Sequence, residues 1–173
     1  SMIFENMPIG LLSTIFFKEQ GMTTFEKLSA INVNDKTEKK KNLTYLSWAW
    51  AWSEVKKACP DATYEMGETT YDEALGFMCY SSVTIDGETL PMWLPVMDGA
   101  NKAMKKVAYS YTTKYGDKQV AQASSFDINK TMMRCLVKNL AMFGMGIYIY
   151  AGEDLPEIET EQAESKVNAK AKA

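Results

Sequence analysis

Apolar residues recur at Ile128, Met132, Met133, Leu136, Val137, Leu140 and Phe143, the interval of one buried helical face. Lys130, Arg134 and Lys138 fall four residues apart within the same stretch. Positions i, i+4 and i+8 lie on one side of a helix, so the cations form a stripe about 12 Å long at roughly 1.5 Å rise per residue. Asp127 is placed to cap this helix and Gly144 to end it. Gly146 then admits a tight entry into a short strand, Ile147–Tyr150. A helix apolar on one side and cationic on another can rest on a core and present regular charges to a polyanion. A merely solvated helix face carries the same pattern.

Upstream, the segment from Thr44 to Ala58 predicts a helix with Thr44 as its cap and Pro60 closing it. Tyr45, Trp48, Trp52 and Val55 share one face, expected in the core. Leu46 and Trp50 lie on another, Trp50 being about 200° from Trp48. One helix cannot bury both faces against a single sheet, so Leu46 and Trp50 are expected to meet a neighbouring subunit or a ligand. Strands are predicted at 62–66, Phe77–Ile85 and Glu88–Val96, the last two joined by the hairpin signal Asp86-Gly87. Val107, Tyr109, Tyr111, Thr113 and Tyr115 alternate at period two, and Gly116-Asp117 turns the chain into Lys118–Ala123. Tyr109, Tyr111 and Tyr115 then share a strand face, either a packed sheet face or a stacking surface for bases. The order of elements is α+β: an antiparallel sheet of β-hairpins on a long C-terminal helix, with an aromatic helix N-terminal to it.

Composition sharpens this picture. The chain has 173 residues, 46% of them hydrophobic, which suits one domain, assigned to 22–152. Residues 34–42 read as a polar, charged link. Residues 1–21 do not match the rest of the chain and read as a leader or an N-terminal arm, with Met22 a candidate start. Residues 153–173 lose their apolar character and carry six acids, so they are expected to be a disordered tail. The net charge of −3 conceals a division. Segment 60–99 holds eight acids and no Lys or Arg, a net of −8, whereas segment 100–143 holds eight cations and two acids, a net of +6. Lys102, Lys105, Lys106, Lys114 and Lys118 belong to the basic segment with the helical stripe. Such segregation suits a local nucleic-acid footprint, or head-to-tail self-association of acidic and basic regions.

The missing chemistry narrows the function. There is no histidine, the commonest general base and metal ligand. Cys59, Cys79 and Cys135 lack the paired spacing of a zinc site, and no metal or cofactor is expected. No Gly is followed by Lys, so the sequence carries no phosphate-loop motif and ATP-driven strand exchange is not expected. The run IGLLSTIFF is too short to span a bilayer. A non-enzymatic binding protein of the cytoplasm, without a membrane partner, is the resulting expectation.

Three blocks, YLSWAWAW (45–52), LPMWLPVMDGANKAM (90–104) and FDINKTMMRCLVKNLAMFGMGIYIYAGEDLP (126–156), closely resemble the Sak-type single-strand annealing proteins of bacteriophages. The last block is also similar to the helix and glycine turn of a wider superfamily that includes Red-beta, RecT and the Rad-type annealing mediators. The resemblance implies a Rad-type annealing fold and a ring or filament of subunits. It also implies ATP-independent annealing of single-stranded DNA held in a positive groove, in the cytoplasm of a bacterial host. By the same resemblance Lys130, Arg134, Lys138, Asn101 and Lys102 are groove residues. Lys105, Lys106, Tyr109, Tyr111, Lys114, Tyr115 and Lys118 join them from charge and pattern alone. Leu46, Trp50 and the acidic 60–99 segment are the expected subunit interface. The tail is expected either to contact a host single-strand-binding protein or a phage exonuclease, or to serve only as a solubilising segment. A cover protein that does not anneal, and a small metal-dependent nuclease, are the competing functions.

Overall fold

A helix with one apolar face folds by laying that face on a sheet, and the longest helix here does so. The computed structural model describes residues 21–40 and 43–151. The helices are α1 (Thr24–Ser29), α2 (Trp48–Ala58) and α3 (Ser125–Met142). The strands are β1 (Thr37–Lys40), β2 (Leu43–Leu46), β3 (Thr63–Met66), β4 (Thr70–Asp72), β5 (Gly76–Ile85), β6 (Glu88–Pro95), β7 (Tyr109–Thr113) and β8 (Gly116–Val120). The expected α+β class is present. The strands form three separate antiparallel units rather than one sheet: β1–β2, β7–β8, and a four-stranded sheet built on β5. The long strand β5 pairs β6 along one edge and β3 and β4 along the other. Most of the 1–21 segment and the tail lie outside the described residues.

The β5–β6 hairpin is the sheet's anchor. Asp86 and Gly87 take φ of 51° and 78°, the left-handed pair that a two-residue turn needs, and Ile85 pairs with Glu88. Alternation along β5 puts Cys79, Ser81, Val83 and Ile85 on the buried face and Tyr80 on the other. Tyr80 pairs with Trp93 of β6, which is 59% exposed. Pro91 and Pro95 lie two residues either side of Trp93 on this edge strand. They supply no N–H there, so another strand cannot extend the sheet at β6 with a full ladder.

Helix α3 packs its buried residues, among them Cys135, Leu136, Leu140 and Asn139, against β5 and β6. The main core joins Val83 and Ile85 to Ala51 and Val55 of α2, Leu28 of α1, and Val33 and Met145. Gly144 lets α1 approach closely: at φ 113° a Cβ there would meet the Phe25 carbonyl oxygen at 2.6 Å. A second, smaller core of Cys79, Val96, Met104 and Val120 lies under β7–β8.

Several local expectations change. Helix α2 begins at Trp48 with Ser47 as cap, because Leu43–Leu46 pairs with Thr37–Lys40 as a hairpin. The link 34–42 therefore contributes a 3-10 turn and strand β1, which a polar composition does not announce. Leu46 consequently leaves the helical wheel and is buried at 8% exposure, while Trp50 packs half-buried on the same core. The outward face expected of this pair is largely consumed inside the subunit. Trp48, expected in the core, is 45% exposed. Ser124 caps α3, and Asp127 completes a reciprocal capping box from the third helical position. Its carboxylate accepts from the Ser124 backbone N–H and from the Ser124 hydroxyl, which hold its pKa below the ordinary Asp value. The turn between β7 and β8 is Lys114-Tyr115, two residues earlier than expected. Ile147–Tyr150 is a 3-10 turn, not a strand, since Ile149 bonds back to the Gly146 carbonyl.

Asn139 joins helix to sheet. It is fully buried, and its Nδ2 donates to Ser81 Oγ and to the Leu90 carbonyl, both at 3.1 Å. Its Oδ1 has no partner among the described residues. Asn139→Ala removes both bonds and strands their acceptors, so it is expected to lower the unfolding free energy by about 2–3 kcal/mol in urea titration. A loss under about 0.5 kcal/mol, the range of ordinary surface changes, would remove Asn139 from this role.

Candidate nucleic-acid interface

Because α3 commits one side to β5 and β6, its cations emerge beside strand β2. A groove of about 500 Å³ runs between them. One wall is Leu43–Trp48, from β2 to the first residue of α2. The other is Phe126, Asn129, Lys130, Met133, Arg134, Val137 and Lys138 of α3. Leu94, Met97 and Asn101 line it from β6 and the following loop, and Tyr150 lines it from the 3-10 turn.

All three cations of the stripe thus share one groove, and each faces an aromatic ring. The Arg134 guanidinium lies 4.8 Å from the Tyr45 ring centroid. Lys130 Nζ is 5.8 Å from Phe126, and Lys138 Nζ is 6.0 Å from Tyr150, both near the outer limit of a cation–π contact. Lys40 Nζ lies 5.8 Å from Tyr45, so β1 brings a further cation to the ring that holds Arg134. The ion pairs among the described residues are Lys40–Glu38 and Lys57–Glu54, so no described carboxylate pairs with a cation of the stripe. Ring contacts restrain these side chains without neutralising them, which leaves their charge for an anion.

Asn101 reaches the groove by an unusual backbone. The Asp98 carboxylate accepts from the N–H groups of Ala100 and Lys102 at 3.0 and 2.9 Å, closing a tight loop. Asn101 sits within it at φ 58°, a left-handed conformation that Asn tolerates better than most residues.

The remaining expected residues do not line this groove. They gather around β7–β8, where lysines again meet tyrosines. Lys102 lies 4.9 Å from Tyr111, Lys105 5.0 Å from Tyr109, and Lys114 5.1 Å from Tyr115. Lys106 is 4.4 Å from Tyr71 of β4, and Lys118 is exposed on β8. Tyr109 and Tyr111 pack on the smaller core, and the Tyr109 hydroxyl donates to the Ala103 carbonyl at 2.5 Å. Burial, with Asp98 and Tyr111 nearby, raises the Tyr109 pKa. The tyrosine stripe is therefore a packed sheet face at 109 and 111. Tyr115, at the turn, is 82% exposed.

Tyr45, Trp48, Phe126, Asn129 and Tyr150 were not expected as groove residues. Phe126 carried one legible sign, an apolar residue at the helix start outside the apolar spacing; it is 71% exposed. The thiols offer no reactive site: Cys79 and Cys135 are buried, and burial raises the pKa of both. Among the described residues no group of His, Cys, Asp or Glu is placed to hold a metal ion. None of the described helices is long and apolar enough to cross a membrane.

The model of the Sak Single Strand Annealing Protein family matches residues 23–173. The chain belongs to that family, and single-strand annealing in recombination, with the binding of single-stranded DNA that it requires, is its class of activity. No curated protein sequence matches the chain.

Replacing Lys130, Arg134 and Lys138 together with Ala is expected to weaken binding of an oligo-dT strand. It should also make the log–log salt slope shallower by about 2, near 0.7 for each lost phosphate contact. Fluorescence anisotropy from low to moderate salt reads both. Unchanged affinity and slope in a folded variant would assign the stripe to solvent.

Proposed function

We propose that the groove between β2 and α3 holds the phosphate backbone of single-stranded DNA, and that the chain anneals complementary strands without ATP as an oligomer. The observation that carries this reading is the alignment of Lys130, Arg134 and Lys138 along one groove with no described carboxylate to neutralise them. Annealing needs the repulsion between two phosphate backbones reduced while base edges stay open. Cations on a helix meet phosphates at regular intervals, and the aromatic walls at Tyr45, Trp48 and Phe126 offer faces to bases that lie inward.

Lys102, Lys105, Lys106, Lys114 and Lys118, with the exposed ring of Tyr115, extend the cationic surface beyond the groove. Tyr109 and Tyr111 support that surface from beneath by positioning Lys105 and Lys102. The annealing unit is residues 22–152, and a hairpin-rich sheet backed by a long helix supports reading it as a Rad-type annealing fold. The protein acts in phage recombination in the host cytoplasm and is not an enzyme.

Assembly is the second part of the proposal, because one groove offers few phosphate contacts and a repeated groove multiplies them. Leu46 is unsuited to a subunit contact, being buried at 8% exposure. The open part of Trp50, the acidic strands between residues 60 and 99, and the exposed Tyr80–Trp93 pair are the surfaces assigned to it. The prolines of β6 direct contact to the sheet's face rather than to continuation of its edge.

A mixture of labelled complementary oligonucleotides, without nucleotide cofactor, tests the function. Pairing is expected to accelerate over the spontaneous rate, with the protein in multimers by mass photometry. Protection of the strands without acceleration would leave a cover protein. Shortened strands in the presence of Mg²⁺ or Mn²⁺ would reveal a nuclease.

A further inference from the structure

The chain that leaves the groove carries the opposite charge. Tyr150 lines the groove and approaches Lys138 to 6.0 Å. Between 151 and 164 there follow Glu153, Asp154, Glu157, Glu159, Glu161 and Glu164, with no cation among them. Spacing matches as well as sign. Cations four residues apart on a helix repeat every ~6 Å, at roughly 1.5 Å per residue. Carboxylates two residues apart on an extended segment repeat every ~6.6 Å on one side. Glu157, Glu159 and Glu161 have that spacing, and Lys130, Arg134 and Lys138 have the other. Reach is sufficient, since the seven residues from Tyr150 to Glu157 can extend up to about 23 Å, beyond the ~12 Å of the stripe.

We propose that segment 153–164 occupies the cationic groove of its own chain and competes there with single-stranded DNA. The proposal rests on reading the groove as the strand site and adds a regulation to it. A tethered segment of this length acts at a millimolar effective concentration, so even a weak pairing holds the groove part of the time. A strand must then displace it. Short or weakly bound anions fail to do so, whereas a long strand spanning several grooves succeeds. Annealed duplex leaves more readily as the segment returns.

The test uses the full chain with Glu157→Gln, Glu159→Gln and Glu161→Gln combined. Affinity for an oligo-dT strand is expected to rise about 3- to 10-fold at low salt, the ratio of a millimolar effective concentration to a sub-millimolar pairing. The gain should shrink as salt rises. In the background of Lys130→Ala, Arg134→Ala and Lys138→Ala it should disappear. In the unsubstituted chain, zero-length carbodiimide cross-linking, with digestion and mass spectrometry, should join Glu157, Glu159 or Glu161 to Lys130 or Lys138 and should fade when the oligonucleotide is added. No gain in affinity, or an equal gain in the groove-variant background, overturns the proposal. So do cross-links directed to the lysines of β7–β8. Failure of the groove reading itself looks different: the groove variant alone then binds as the parent does.

Discussion

Helix α3 can lie on the β5–β6 sheet in one rotation only. Its buried side carries Cys135, Leu136, Asn139 and Leu140, and the paired amide of Asn139 works only when it faces Ser81 and Leu90. Turning the helix by one residue, about 100°, would bury a cation and expose that amide. Desolvating an unpaired ammonium or guanidinium costs several kcal/mol, more than any single packing contact could return. The core therefore fixes the direction of the stripe, and the stripe fixes where an anion can dock. An apolar residue at 139 could bury comparable surface without stranding Oδ1, which is why the amide is best understood as setting orientation.

The second wall follows from the first. Once Lys130, Arg134 and Lys138 emerge beside β2, that strand supplies Tyr45 under Arg134, and the first residue of α2 supplies Trp48 at the rim. Rings restrain long cationic side chains and reduce the entropy lost when they meet phosphate, yet they leave the charge intact. A carboxylate at the same place would have spent that charge within the subunit. The same device recurs around β7–β8, where four lysines meet tyrosines. Cationic surface in this chain is thus built on aromatic support, while most acids are kept to segment 60–99 and the segment after Gly152.

Much of this was legible in the residues. The apolar spacing located α3, and Asp86-Gly87 located the β5–β6 hairpin, because both signals are local. The start of α2 was not legible: Leu43–Leu46 is held as a strand by pairing with Thr37–Lys40, and a helical wheel cannot register a partner lying earlier in the chain. The groove's second wall was hidden with it, since a helix drawn from Thr44 puts Tyr45 and Trp48 together on a core face, whereas Tyr45 belongs to β2 and Trp48, at the first position of α2, is exposed. The tyrosines at 109 and 111 show the converse. Alternation placed them correctly on one face, but whether that face is packed or open depended on Val96, Met104 and Val120 beneath it.

The groove can be interrogated without altering the protein. Oligonucleotides carrying 5-iodouracil, irradiated in the complex and mapped by mass spectrometry, report which side chains touch the strand. Adducts are expected on the groove's aromatic residues, Tyr45, Trp48, Phe126 and Tyr150. Adducts confined to Tyr115 and the β7–β8 hairpin, with the groove unmodified, would contradict the assignment of the strand to the groove.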